Sequence, residues 1–162
     1  MHNIRNATKD DIPLIRELTF KVWPQTYGML LTKEQIDYML QLMYSEEALL
    51  QQMNDGCTFI IVSEDNEPVG FASFQDLEKG IYKLHKIYVL QSQQGKGTGS
   101  FVINYIVDEI KQKSGNALRL QVNRHNNAKD FYHKKGFEVI DEVKLDIGNG
   151  FYMDDYIMEK RF

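Results

Sequence analysis

Residues 87–110 read IYVLQSQQGKGTGSFVINYIVDEI: an apolar run typical of a strand, then a polar loop, then apolar residues at helical spacing. The loop places three glycines within five positions, at 95, 97 and 99. Glycine weakens a regular element by up to about 1 kcal/mol relative to alanine, so such a cluster needs a structural reason. The stretch therefore predicts a strand, a turn and a helix in that order.

The glycine loop matches neither of two common phosphate-binding patterns. A P-loop has G-x-x-x-x-G-K-[ST] and a dinucleotide fingerprint has G-x-G-x-x-G, whereas Gly95, Gly97 and Gly99 alternate strictly. Successive N–H groups at a helix start still attract a pyrophosphate, because the positive end of the helix dipole lies there. Lys96 would add a positive charge. From this stretch alone, a phosphate site and a plain turn are both open.

Upstream of the loop, the sequence predicts helices followed by an antiparallel meander. A short strand near residues 3–6 precedes three helix starts, each marked by a hydroxyl side chain that can cap the first turn: Thr8, Thr32 and Ser45. The segment WPQTYGML, residues 23–30, is expected to end the first helix and separate it from the second, because it contains Pro24 and Gly28. Three strand candidates follow, at 57–63, 68–76 and 81–90.

Downstream of the loop, the pattern predicts a crossover between parallel strands. The helix expected over 97–113 leads to a strand at 117–122, and so long a connection implies a parallel pair. A helix within 126–136 and a final hairpin of strands, 137–145 and 151–159, complete the chain. The predicted fold is α/β: a single domain over 1–162 with a mixed, mostly antiparallel sheet of about seven strands, a central parallel pair and flanking helices.

Composition and charge indicate which partners and which cellular compartment to expect. The 162 residues carry a formal net charge of -4, which argues against a nucleic-acid-binding surface. The single cysteine, Cys57, cannot form a disulfide framework, which favours a reducing, cytoplasmic setting. No apolar run approaches the roughly 20 residues that span a bilayer, and the polar start does not match a signal peptide. No spacing of His, Cys, Asp and Glu suggests a metal site.

A second stretch, VNRHNNAKDFYHKKGF at 122–137, adds an independent motif. Together with the glycine loop it resembles the GCN5-related N-acetyltransferase (GNAT) family. In that family, a strand, a Q/R-x-x-G-x-G/A loop and a helix are followed by a strand, an Asn-x-Ala segment and F-Y-x-x-x-G-F. Both motifs stand at the family's separation, and the element order of the whole chain agrees. The resemblance implies an N-acetyltransferase that uses acetyl-CoA (coenzyme A) as its cofactor.

The resemblance assigns cofactor binding to three groups of residues. Backbone groups of Ile87, Tyr88 and Val89 would pair with the pantetheine arm like an added strand. Amides of the loop would hold the pyrophosphate: Gln94, Gly95, Lys96, Gly97, Thr98, Gly99 and Ser100. Asn126 matches the family's cofactor-binding asparagine, and Asn123, at the end of its strand, is a second candidate.

Two residues are candidates for catalysis. Tyr132 matches the family tyrosine that protonates the departing thiolate, and a phenol with a pKa near ~10 can serve a thiol with a pKa near ~8.5. An alkylamine with a pKa near ~10 must lose a proton before it attacks, and His85 is the candidate base. Strand alternation predicts that His85 faces the same side as Ile87 and Val89. A structural role in the core is the alternative for both candidates.

The acceptor site is the part that the family pattern fixes least. Trp23 and Tyr27 lie in the region that covers the acceptor cleft in this family, and a role as core anchors is equally open. Carboxylates of the C-terminal hairpin would favour a cationic amine: Asp146, Asp154 and Asp155. The ending GFYMDDYIMEK is loosely similar to that of bacterial polyamine acetyltransferases of the PaiA type.

The expected function is acetyl transfer from acetyl-CoA to a primary amine of a small molecule, by direct attack in a ternary complex. A polyamine-like amine is one option for the acceptor. Two alternatives stay open: a protein lysine or N-terminus as the acceptor, and a regulatory module that binds acyl-CoA without turnover. A homodimer is compatible with these expectations, and neither a nucleic acid nor a membrane is an expected partner.

Overall fold

Seven strands form one mixed sheet in the computed structural model, which describes residues 1–162. In chain order the strands are β1 (His2–Asn6), β2 (Thr58–Glu64), β3 (Glu67–Asp76), β4 (Ile81–Val89), β5 (Ala117–Asn123), β6 (Glu138–Gly148) and β7 (Phe151–Arg161). They lie side by side in the order β1-β2-β3-β4-β5-β7-β6. Only β4 and β5 run parallel, and every other neighbouring pair is antiparallel.

Five α-helices connect these strands. They are α1 (Ile12–Tyr27), α2 (Lys33–Tyr44), α3 (Glu46–Asn54), α4 (Thr98–Gln112) and α5 (Ala128–Lys134). The order confirms the predicted α/β fold, with α4 as the crossover between the parallel strands. The sequence pattern did not indicate that β7 lies between β5 and β6. None of the five helices combines the length and hydropathy that a membrane-spanning helix requires.

The sheet is buried on both faces. In β2, Phe59 and Ile61 belong to the core formed with α1, α2 and α3, whereas Ile60 and Val62 belong to the core that contains α4. Successive side chains of a strand point to opposite faces, so a strand covered on both sides is a continuous apolar run. This explains why the sequence of β2 does not alternate.

Helix α1 continues into the segment that was expected to end it. It ends at Tyr27, three residues beyond Pro24. A proline inside a helix costs about 3 kcal/mol. Trp23 on the same turn is only 2% exposed, and burying its 150–250 Å² at about 25 cal/mol per Å² contributes roughly 4–6 kcal/mol. The break between α1 and α2 therefore exists but begins at Gly28, later than expected, and burial of α1 side chains in the core offsets the cost of Pro24 inside the helix.

Strands β4 and β5 pair along only part of their length. Residues 81–84 of β4 lie opposite residues 117–120 of β5. Beyond this register β4 continues to Val89 and β5 to Asn123 without pairing to each other. The strands therefore diverge from the middle of the sheet onward, and each has an unpaired backbone edge that faces the gap.

A bulge in β4 lies where this pairing ends. Leu84 and Lys86 lie opposite consecutive residues of β3, Phe74 and Ser73, so His85 has no partner in the ladder. A bulge bends its strand and increases the local twist. The extra residue therefore helps to turn the second half of β4 away from β5.

Two of the predicted helix starts are formed by side-chain caps. The Oγ atoms of Thr32 and Ser45 accept hydrogen bonds from the N–H groups of Gln35 and Ala48, both at 3.1 Å. Thr8 caps a short 3-10 turn that leads into α1. The first turns of α2 and α3 therefore begin where the sequence predicted.

Removal of the Ser45 cap should lower stability by about 1 kcal/mol, because the Ala48 N–H loses its partner. For a domain of this size that corresponds to a decrease of about 2–4 °C in Tm. Thermal unfolding of Ser45→Ala, followed by circular dichroism, measures the change. Ser45→Asp keeps a cap oxygen and should retain most of the stability. Equal Tm values for the wild type and Ser45→Ala would contradict the capping role.

Candidate functional site

The gap between β4 and β5 opens into a cleft of about 820 Å³. Its walls come from the diverging ends of both strands, the start of α5, the end of α1 and the loop that follows β4. Ligands of α/β sheets commonly bind where neighbouring strands separate at their carboxyl ends. The cleft is therefore the first candidate for a ligand site.

One wall of the cleft is the free backbone edge of β4. The Leu90 N–H bonds the Val69 carbonyl at 2.8 Å. Hydrogen-bonded pairs alternate along an antiparallel ladder, so the backbone groups of Tyr88 are also turned toward β3. Those of Ile87 and Val89 face the gap instead. Of the three residues predicted to pair with a cofactor, two thus have free backbone groups and Tyr88 does not.

The glycine loop begins at the cleft, which Gln94 lines, and leads into α4. Gly95 and Gly97 have φ angles of 80° and 75°, which side chains other than glycine rarely adopt. A Cβ at Gly99 would lie 3.4 Å from the Phe131 ring, which is an ordinary van der Waals contact. Two of the three glycines thus shape the turn, and the third lies where α4 packs beside α5.

The loop presents a row of unpaired backbone N–H groups at the start of α4. The N–H groups of Gln94 and Lys96 are not among them, because they bond the carbonyls of Gln91 and Gln93. Unpaired N–H groups belong to residues 95 and 97–100, at or beside the first turn of α4. These groups and the positive end of the helix dipole form a site suited to an anion such as a pyrophosphate.

Two side chains of the loop are already engaged. The Lys96 ammonium lies 3.7 Å from a Glu64 carboxylate oxygen of β2. The Thr98 hydroxyl is buried and bonds His2 Nε2 at 2.8 Å and Gln93 Oε1 at 3.1 Å. Both side chains therefore fix the loop, and the anion site consists of backbone groups.

The two predicted asparagines lie in different places. Asn126 lines the large cleft, and its Oδ1 accepts a hydrogen bond from the Ala128 N–H at 2.9 Å. The Asn123 Oδ1 accepts from the His125 N–H at 2.9 Å, and this residue lines a second, smaller cavity. The geometry therefore brings Asn126, and not Asn123, to the expected cofactor cleft.

Tyr132 lies on α5 with its ring held between two phenylalanines. The ring centroids of Phe131 and Phe137 lie 5.4 and 5.6 Å away in edge-on arrangements. Tyr132 is 8% exposed and lines the large cleft, and its hydroxyl makes no hydrogen bond within the chain. Burial raises the pKa of this phenol, so the hydroxyl keeps its proton throughout the neutral range.

His85, the extra residue of the bulge, lines both cavities. Its Nε2 lies 2.9 Å from Gln75 Oε1, and the Gln75 amide donates to the Asp55 carbonyl just after α3. The imidazole is therefore on the α3 face of the sheet, whereas Ile87 packs in the core on the α4 side. The alternation that predicted a common face for His85, Ile87 and Val89 fails because the bulge shifts it by one residue.

The protonation of His85 also differs from that of an ordinary histidine. Desolvation within the cleft, followed by the charges of Lys83 and Lys86, lowers the pKa of His85 to about 4. The imidazole is consequently neutral at pH 7. It can accept a hydrogen bond, but it is a weak acceptor for a full proton transfer.

The smaller cavity has a volume of about 260 Å³ and adjoins the large cleft, with which it shares lining residues of α1, β4 and β5. It is walled by α1, α2, β4, β5 and the β6–β7 hairpin. The Tyr38 hydroxyl donates to the Ile147 carbonyl at 2.7 Å, and the Gln35 amide donates to the Tyr152 carbonyl at 2.8 Å. These bonds hold the hairpin against α2 and close one side of the cavity.

Aromatic side chains separate the two cavities. Trp23 lies 4.6 Å from Tyr27 and 5.5 Å from Tyr44, measured between ring centroids. The hydroxyls of Tyr27 and Tyr88 are 3.2 Å apart, and both residues line both cavities. Trp23 is buried in the core and contributes to the smaller cavity alone. Trp23 and Tyr27 thus pack in the core and also line a cavity.

Of the three hairpin carboxylates, only Asp155 faces the smaller cavity. Asp146 accepts a hydrogen bond from the Gly148 N–H in the turn, and Asp154 pairs with Arg124 Nε at 3.2 Å. Asp155 is 3% exposed and its carboxylate has no hydrogen-bond donor. Burial, with a smaller contribution from the Asp154 charge, raises the pKa of Asp155 to about 6.

Two lysines of β4 also line the smaller cavity. The Lys83 Nζ donates to Gln121 Oε1 at 3.0 Å, and the Asp155 charge acts on it. The Lys86 Nζ lies 4.3 Å from the centre of the Tyr44 ring, and the side chain is 8% exposed. Sequence reasoning did not select either lysine. The available signal was two charges inside the central strand run IYKLHKIYVL.

The family model that matches this chain is described as an acetyltransferase (GNAT) domain. It covers residues 30–159, which include both diverging strands, the glycine loop and α5.

Two relatives match over most of the chain. An uncharacterised N-acetyltransferase of Methanocaldococcus jannaschii is 30% identical over 152 residues, which are 88% of this chain and 63% of the relative. A spermidine N(1)-acetyltransferase of Thermoplasma acidophilum is 27% identical over 165 residues, which are 98% of this chain and 96% of the relative. The chain therefore spans less than two thirds of the first relative and nearly all of the second.

Solved structures share the fold along the whole chain. The PaiA N-acetyltransferase from Thermoplasma acidophilum in complex with coenzyme A superposes with a TM-score of 0.84 at 24% identity, covering 100% of this chain and 99% of that one. A GCN5-related N-acetyltransferase from Rhodopseudomonas palustris gives a TM-score of 0.83 at 19% identity, covering 99% and 95%. At these identities the similarity concerns the fold.

Proposed function

This chain belongs to the GNAT acetyltransferase family, and we propose that it transfers the acetyl group of acetyl-CoA to the amine of a small molecule. The observation that carries the proposal is the gap between β4 and β5. It joins a large cleft that extends to the glycine loop and a smaller cavity that adjoins this cleft.

Acetyl-CoA fits the large cleft by its chemistry. The oxygens of its pyrophosphate would accept hydrogen bonds from the unpaired N–H groups of residues 95 and 97–100. Its pantetheine arm carries amides that can pair with the free backbone groups of Ile87 and Val89. When bound, acetyl-CoA supplies a thioester carbonyl that an amine can attack and a thiolate that leaves. Asn126 and Tyr132 line the same cleft.

A small amine fits the second cavity better than a protein segment does. The bonds from α2 to the β6–β7 hairpin close one side of this cavity, whereas an acceptor peptide would need an extended groove. Its volume of about 260 Å³ is below the roughly 300–1,000 Å³ of pockets for drug-sized ligands. The spermidine acetyltransferase among the relatives makes a polyamine one acceptor to test.

The attacking amine must lose its proton, and two groups compete to accept it. His85 and Asp155 both have a pKa below the ~10 of an ammonium, so proton transfer to either is uphill, and it is less so to Asp155, which has the higher pKa and the more buried side chain. We therefore assign proton acceptance to Asp155, and to neutral His85 a hydrogen bond that orients the amine.

Tyr132 would act on the departing sulfur. Because burial raises the pKa of Tyr132, complete proton transfer from its phenol to a thiolate with a pKa near ~8.5 is unfavourable. A hydrogen bond from the same hydroxyl still stabilises the negative charge that develops on sulfur. The proton that the thiolate finally gains balances the one released by the amine.

The first test is release of free CoA with a panel of acceptors. The panel contains spermidine, amino acids, aminoglycosides and short peptides with a free N-terminus or lysine. Turnover with a small amine supports the proposal. Turnover with peptides alone would assign a protein acceptor, and tight acetyl-CoA binding with no turnover on any acceptor would assign a regulatory module.

Replacement of Gly97 by leucine should weaken acetyl-CoA binding at least tenfold, because a side chain at this φ distorts the row of N–H groups. Gly150→Leu is the matched control, since Gly150 has a φ of 79°, no atom near a Cβ, and a place in the β6–β7 turn. Calorimetric titration measures both dissociation constants. Equal affinities for the two variants would remove the loop from the binding site.

Tyr132→Phe should lower kcat by about 10²-fold, the lower end of the range for acid catalysis, because the hydroxyl provides a hydrogen bond rather than a full proton. The dissociation constant of acetyl-CoA and the Tm should change little, since the ring remains packed. Tyr105→Phe on α4 is the control for loss of a hydroxyl. A wild-type kcat in Tyr132→Phe would exclude this residue from the mechanism.

If Asp155 accepts the proton, kcat/KM should fall as the pH drops through about 6, because the protonated carboxyl cannot act. An acceptor amine of low pKa, such as an acyl hydrazide or an aromatic amine, keeps the substrate neutral in this range. Asp155→Asn should remove the acidic limb and His85→Ala should leave it in place. A limb near pH 4 that disappears in His85→Ala would instead identify His85 as the base.

A further inference from the structure

Lys86 is a buried cation without a counter-ion. Its side chain is 8% exposed and lines the cavities on both sides of the gap. The contact that the chain provides is the face of the Tyr44 ring, 4.3 Å from Nζ. Among acidic groups, only the Cys57 thiol acts on its charge, and burial raises the pKa of that thiol above its usual value. The thiol is therefore neutral at pH 7.

The charge on Lys86 persists under working conditions. Burial lowers the pKa of Lys86 to about 8, which leaves the ammonium mostly protonated at pH 7. Burial of an unpaired charge is unfavourable, and a cation–π contact offsets only part of the cost. An anionic group placed in the cavity would supply the missing partner.

The other charged groups of the smaller cavity do not supply an anionic partner for Lys86. Lys83 and Asp155 act on each other, and Lys86 forms no ion pair. One carboxylate and two ammonium groups thus line the cavity, so its formal charge is positive when all three are ionised. The carboxylate and the unpaired ammonium mark two separate positions within the same small space.

We infer that the acceptor is a small amine that also carries a carboxylate, with its amine at Asp155 and its carboxylate at Lys86. The inference rests on the proposed function and specifies the substrate class of the same site. An ammonium group meets the buried acid, and the carboxylate meets the buried base, so each unpaired charge of the protein receives a partner.

The remaining wall favours an apolar substituent on this acceptor. Met39, Met43 and Met153 line the cavity together with Leu31 and Leu145. Methionine is flexible and fits apolar groups of different shapes. Amino acids with aliphatic or thioether side chains therefore match both the charges and the lining.

The same charges disfavour a polyamine. Spermidine brings several positive charges, and the cavity offers them one carboxylate next to two lysines. Like charges at close range are repulsive, and the repulsion grows as solvent is excluded. Spermidine is therefore the most informative competitor in a direct test.

The test compares acceptors that differ only in the carboxylate. Methionine is paired with 3-(methylthio)propylamine and leucine with isopentylamine, and spermidine is measured alongside. We expect kcat/KM for the amino acid to exceed that of its decarboxylated partner by at least tenfold in the better pair. A preference for the decarboxylated amines or for spermidine overturns the inference.

Lys86→Met should abolish this preference. The substitution removes the charge and keeps much of the volume, so the fold should be at least as stable as that of the wild type. The kcat/KM of the amino acid should fall at least tenfold, with little change for the decarboxylated amine or in the KM for acetyl-CoA. Lys33→Met, at an exposed position of α2, is the control and should match the wild type. A rise in the KM for acetyl-CoA with the preference intact would assign Lys86 to the cofactor and overturn the inference.

A binding measurement separates this inference from the proposed function. Trp23 is the single tryptophan and lines the smaller cavity, so its fluorescence reports occupancy without turnover. Titration of the CoA-saturated protein should give a Kd at least tenfold lower for methionine than for 3-(methylthio)propylamine, and Lys86→Met should remove the difference. Such binding without CoA release refutes the proposed function alone. CoA release together with equal Kd values in the wild type refutes the inference alone.

Discussion

The early end of the β4–β5 ladder is the constraint on which the rest of the site depends. Pairing stops at Leu84 and Leu120, so residues beyond them keep unpaired backbone groups in the middle of a sheet. Buried backbone groups without partners are costly, and proteins normally pair them. A ligand that adds amides of its own can satisfy this edge. The bulge at His85 and the short register thus leave backbone groups unpaired at the centre of the sheet, and these groups form an edge to which such a ligand can bond.

The buried charges follow the same logic. Lys86 and Asp155 are each more than nine-tenths buried without an opposing group in hydrogen-bonding contact. Apolar residues of similar size would stabilise the folded chain more than these charges do. Their position around one small cavity, beside a strand edge that is also incomplete, indicates that the fold gives up stability at the site. The two cores on either side of the sheet provide the stability that permits this.

Much of the fold was predictable because its signals are local. Helix caps at Thr32 and Ser45, the crossover after the glycine loop and the continuous apolar run of β2 can all be recognised within a few residues. What sequence reasoning missed depends on tertiary contacts. Helix α1 continues past Pro24 while its side chains pack in the core, and the bulge at His85 is visible only through the register with β3.

The site shows the same division. The loop that holds unpaired N–H groups and the tyrosine on α5 were predicted from two motifs. Which of the loop N–H groups are free was not predictable, because it depends on the hydrogen bonds within the loop. The N–H groups of Gln94 and Lys96 are bonded within the turn. The lysines of β4 were not predicted as site residues, because a charged side chain in a strand ordinarily faces solvent. Only the cover provided by α1 and α2 converts Lys86 into a buried cation. The two cavities meet at the gap, where His85 and Lys86 line both, so the proposed direct transfer would take place there. Cys57 lines neither cavity and is therefore not placed to serve as a nucleophile in that transfer.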